Sequence, residues 1–120
     1  MLSSKCKINI SIDDISPRED SDTSCLQYCH RLIKLFPDIK FSLFIPVSYC
    51  RWRDDKADMN PYAYLIAKYP EFIAAIKALS TTNFEIACHG VFHGDITTKN
   101  NNNEYQNASY DEAYKSFEYM

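Results

Sequence analysis

A chain of 120 residues, 46% hydrophobic and 24% charged, is long enough to bury one core and has the composition of an ordinary soluble domain. A net charge of −3 argues against nucleic acid or an anionic membrane surface as partner. Its apolar runs fall far short of the roughly 20 residues a membrane helix needs. Five cysteines (6, 25, 29, 50 and 88) at irregular spacing, behind a polar start that does not read as an export signal, predict free thiols and a cytoplasmic protein.

Residues 7–13 alternate apolar and polar, as a half-buried strand does, and end in Asp13-Asp14. The segment 16–24 reads as loop, and Asp22-Thr23-Ser24 offers helix caps. From Cys25 to Phe36, the residues Leu26, Cys29, Ile33 and Phe36 fall on one helical face, and Pro37 stops the helix. Ile39 to Val47 is almost wholly apolar and suits a strand buried on both faces, with Pro46 at its end. A polar excursion, 49–60, holds the single tryptophan, Trp52, between Arg51 and Arg53. Residues 61–68 predict a short helix. Pro70 suits the first position of another, whose core stripe is Phe72, Ile73, Ile76 and Leu79. Phe84 to Cys88 is the third strand. Lys99 to Glu104 reads as a solvated loop, and Ser109-Tyr110-Asp111-Glu112 fits a capping box opening a last helix to Met120. The β-α-β-α-β order predicts a parallel sheet or part of a barrel, in a single domain over residues 1–120.

Chemistry concentrates at two strand ends. The chain has only two glycines, Gly90 and Gly94, and both lie in Cys88-His89-Gly90-Val91-Phe92-His93-Gly94. In parallel α/β folds, ligands gather at the carboxyl ends of strands, so Asp13-Asp14 and His89/His93 share one rim. Adjacent strand residues point to opposite faces, which gives the two aspartates separate roles. The two histidines reach one ion if their segment turns helical, where i and i+4 share a face. Two imidazoles and one carboxylate leave open positions for water and substrate on a divalent metal. Alone, either motif is weak; an acidic pair at a strand end and a His-x3-His spacing are both common without function.

Ser11-Ile12-Asp13-Asp14 resembles the first motif, T-F-D-D-G, of the polysaccharide deacetylase (NodB-homology) family. His89-Gly90-Val91-Phe92-His93 resembles its second, H-[ST]-x-x-H, and Phe72–Leu79 with Phe84–Ala87 looks like the helix and strand that precede it. Asp13-Asp14-Ile15-Ser16-Pro17 and the His-Gly form bring the chain closest to an uncharacterised predicted-deacetylase branch, over residues 8 to about 96. The resemblance implies a partial, distorted (β/α) barrel of about three β-α units, and metal-dependent removal of N- or O-acetyl groups from oligo- or polysaccharide. By position, Asp13 is then the general base, and Asp14, His89 and His93 hold one divalent ion, zinc first, with cobalt, manganese or nickel as alternatives.

The chain departs from the pattern in three places. Ile15 stands where the family has glycine, and Gly90 where it has a hydroxyl residue that can support the loop. Nothing after His93 matches the later motifs, which supply an arginine, substrate-groove residues and a histidine general acid. The expectation is therefore a truncated domain with the metal half of a site, whose open sheet edge favours self-association. A noncatalytic metal- or carbohydrate-binding remnant is the alternative. A phosphoreceiver domain also carries an acidic pair after its first strand, but its third strand ends in an aspartate, not in histidines. Trp52 is a candidate for stacking on sugar, against a bland reading as solvated loop. His30 and the Cys25/Cys29 pair read as packing, and the Asn107-Ala108-Ser109 sequon means little without export.

Overall fold

The computed structural model describes residues 8–18, 23–50, 60, 62, 64–94 and 104–120. Three strands, β1 (Asn9–Ile12), β2 (Lys40–Ile45) and β5 (Phe84–Cys88), form a parallel sheet in the order β1-β2-β5. Helix α1 (Thr23–Leu35) crosses from β1 to β2, and α2 (Pro70–Lys77) precedes β5. Between them lie a two-residue antiparallel ladder, β3 (Ser48–Tyr49) with β4 (Tyr64–Leu65), and a 3-10 turn, Ile66–Lys68. Helix α3 (Tyr110–Tyr119) follows. The α/β class with a parallel sheet is as expected; among the described residues the sheet is open and no barrel closes.

β2 is the middle strand because its sequence can be covered on both faces. Phe41, Leu43 and Ile45 are buried on one side, and Ser42 on the other. Ser42 is not left unpaired: its hydroxyl accepts from Asn9 Nδ2 at 2.9 Å. In register, Ile10 faces Phe41 and Ile12 faces Leu43 on one flank, while Phe84 faces Phe41 on the other. The Phe41 and Phe84 rings stack with centroids 5.5 Å apart. Leu26 and Cys29 of α1, Phe72 of α2 and Ile15 of the rim complete this core. Buried Asn83 ties the amino end of β5 to that of β2, its Nδ2 donating to the carbonyls of Pro37 (2.8 Å) and Ile39 (3.0 Å).

The helices follow their local signals. Pro70 occupies the first turn of α2, where its missing N–H costs nothing, with Glu71 beside it and Lys77 in the last turn. α3 opens with the predicted capping box: the Ser109 hydroxyl accepts from Glu112 N–H, and the Glu112 carboxylate accepts from Ser109 N–H at 2.8 Å. Two expectations fail. Phe36 lies past the end of α1 and is 59% exposed, so the core face of that helix ends at Leu32 and Ile33. Of the stretch 61–68, where a helix is expected, residues 64–65 pair with β3 and 66–68 form the 3-10 turn. Among the described residues, no helix is long and apolar enough to cross a membrane.

Candidate metal centre

The rim is assembled by backbone bonds that continue the sheet beyond its strands. Past β1, Ile15 N–H donates to Phe44 O at 3.2 Å. Past β5, His89 N–H donates to Ile45 O at 3.0 Å. The carbonyls of Gly90, Val91 and Phe92 then accept from Val47, Ser48 and Cys50 at 3.2, 2.7 and 3.0 Å. The segment 89–92 thus runs bonded along 45–50 and carries its histidines over the end of β2.

The local turns come from left-handed residues. Gly90 has φ +78°, which glycine adopts without steric cost. Asp14 and His93 have φ +63° and +65°, uncommon for residues with a Cβ, although aspartate and histidine are enriched there. The Ser16 hydroxyl, buried, donates to Asp14 O at 3.1 Å and accepts from Arg18 Nε at 3.1 Å, which holds the aspartate's turn. The two rings therefore meet without the helical turn considered for 89–93, across a left-handed bend.

Asp14 Oδ1 lies 3.2 Å from His89 Nε2 and 2.8 Å from His93 Nε2. All three ligand atoms fall within 4.8 Å of one another. Tetrahedral bonds of about 2.0–2.2 Å place ligand atoms roughly 3.3–3.6 Å apart, so small side-chain shifts suffice to seat an ion. Asp14 Oδ1 is buried and, despite these short distances, makes no hydrogen bond. Its neighbours are the two imidazole nitrogens, so one carboxylate oxygen and two nitrogens converge as a divalent ion's donor set does. The Asp14–His89–His93 group can hold a metal ion.

Aromatic rings fix the imidazoles. His93 stacks on Tyr49 at 4.8 Å and 21°, and the Arg18 guanidinium lies 3.5 Å from the centroid of that tyrosine ring. Phe44 meets His89 edge-on at 6.0 Å. A groove of about 850 Å³ opens beside the histidines, walled by Phe44, Tyr105, Phe117 and Met120.

The structure brings Asp14, His89 and His93 together. Asp13 stands exposed one residue before the turn and is not a member of the cluster. Trp52 lies outside the described residues. Cys29 is buried in the core, and His30 packs edge-on to Phe84 at 5.6 Å, so neither adds to the centre. Cys88 is exposed and its Sγ lies 2.9 Å from Met120 Sδ rather than in the cluster.

Two contributors were not legible. Tyr49, taken as the start of a polar excursion, is only 4% exposed. Glu104, taken as the end of a solvated loop, is half-buried, and its carboxylate accepts from Val91 and Phe92 N–H. The available signal was Gly90, one of two glycines in the chain, where a Cβ would lie 2.3 Å from Glu104 Oε2. No protein-family model matches the chain, and no curated protein or solved structure matches it.

Proposed function

We propose that the chain is a divalent-metal-dependent, deacetylase-like hydrolase of the polysaccharide deacetylase type, acting on acetylated carbohydrate through a partial, distorted (β/α) barrel. The observation that supports this reading is the convergence of Asp14 Oδ1 with both Nε2 atoms, all three ligand atoms within 4.8 Å of one another. Asp14, His89 and His93 would hold the ion, zinc first, since two imidazoles and a carboxylate are a common zinc donor set. When bound, the ion supplies Lewis acidity toward an acyl carbonyl and lowers the pKa of water. Asp13, exposed on the same rim, takes the proton of the attacking water as general base. Tyr49 and Phe44 keep the imidazoles from rotating, and the adjoining aromatic-walled groove offers faces on which a sugar ring can lie.

A second reading, metal or carbohydrate binding without turnover, is favoured by one observation: Asp13 lies outside the cluster. Acetate release from acetylated chito- and xylo-oligosaccharides, with zinc, cobalt or manganese added, separates the two. Metal-dependent release that falls at least about 100-fold in Asp13→Asn supports the hydrolase, as expected when a general base worth roughly 10²–10⁴ is removed. Metal binding with no acetate released from any substrate sinks it in favour of the second reading.

A further inference from the structure

The loop that carries both histidines is gripped from two sides. Its carbonyls, at Gly90, Val91 and Phe92, are taken by N–H groups of residues 47, 48 and 50. On its other side, Glu104 Oε1 accepts from Val91 N–H at 3.1 Å and from Phe92 N–H at 2.9 Å, and Oε2 accepts from Val91 N–H at 3.1 Å. These amides belong to the residues between the two imidazoles. Gly90 makes the approach possible, because a Cβ there would lie 2.3 Å from Glu104 Oε2, and its φ of +78° already disfavours any side chain. Both oxygens of Glu104 are thereby committed to the amides of the loop.

We propose that Glu104 is the positioning residue of the metal centre. By bonding the Val91 and Phe92 amides it fixes the left-handed bend at His93, and so sets the two Nε2 atoms against Asp14 Oδ1. The inference rests on the metal reading of Asp14, His89 and His93, but not on catalysis.

Cobalt(II) titration followed by its visible ligand-field absorption tests it without any substrate. Glu104→Ala is expected to bind cobalt at least about 10-fold more weakly, as when outer partners of metal ligands are removed, with an altered band shape and retained far-UV circular dichroism. Glu104→Gln, which keeps one acceptor oxygen, is expected between Glu104→Ala and wild type. Glu112→Ala breaks the α3 capping box without touching the loop, and is expected to bind like wild type. Wild-type affinity and band shape in Glu104→Ala overturn the proposal. So does an equal loss in Glu112→Ala, which would assign the effect to α3. If Glu104→Ala does not fold, Glu104→Gln decides: weakened affinity supports the role, and unchanged affinity overturns it. A wild-type chain that binds neither cobalt nor zinc overturns the metal reading itself, and the positioning role with it.

Discussion

The sheet and its rim are built on different terms. β2 is held by apolar burial between two flanking strands, with Leu43 fully buried and Phe41 nearly so. At the rim, every positive φ of the described backbone occurs, at Asp14, Gly90 and His93, and directed hydrogen bonds add to the burial of Ile15, Tyr49 and Val91. Left-handed backbone at a residue with a Cβ costs about 1–2 kcal/mol. The rim therefore contains strain that the sheet beneath it must over-determine, as at functional sites generally. Stability and ligand chemistry are separable in this molecule, and substitutions should divide accordingly.

The largest expected effect is on the sheet. Leu43→Ala should cost about 2–5 kcal/mol of unfolding free energy, read from chemical denaturation, while the folded fraction keeps its metal affinity. A cost below about 1 kcal/mol would break the comparison, because β2 would then not be the centre of the core. Next comes the rim. Asp14→Asn keeps a residue type that tolerates left-handed backbone, so stability without metal should move by less than about 1 kcal/mol. Wild type should gain about 2.7 kcal/mol from zinc at 100 times its dissociation constant, and Asp14→Asn almost none of it. An equal zinc gain in both would remove Asp14 from the centre. The smallest effect sharpens the core side. Burial, with Cys25 beside it, pushes the Cys29 thiol from 9.0 up to about 11. A raised folded pKa means that the stability of the neutral thiol is full below pH 9 and is lost as pH rises through about 11. The unfolding midpoint should fall over that window, and fall less in Cys29→Ala. At pH 8, thiol reagent should label exposed Cys88 well before Cys29.

The same division explains what the sequence disclosed. An apolar run such as Phe41–Ile45 is local information, and so are Pro70 and the Ser109 capping box. Phe36 kept the helical period but stands beyond the last turn, where period no longer implies burial. The meeting of Asp14 with His89 and His93 followed from parallel topology, because both strand ends open on one rim. The shape of the meeting did not follow. Tyr49 lies flat against His93, and the bend of 89–93 depends on carbonyl bonds to 47–50 and on a carboxylate at position 104. Those are contacts between distant segments, and no window along the chain contains them.

Asp14 and His89 stand 75 positions apart and belong to strands separated by β2. An ion joined to both would turn the intervening chain into a closed ring. In a denatured chain, closing a ring of that size costs about 4.5 kcal/mol in the chain-entropy treatment used for disulfides. The native sheet has already paid this cost by placing β1 and β5 on either side of one strand. Tight metal capture should therefore be a property of the folded chain alone, and a zinc titration across a denaturant gradient should trace the folded population.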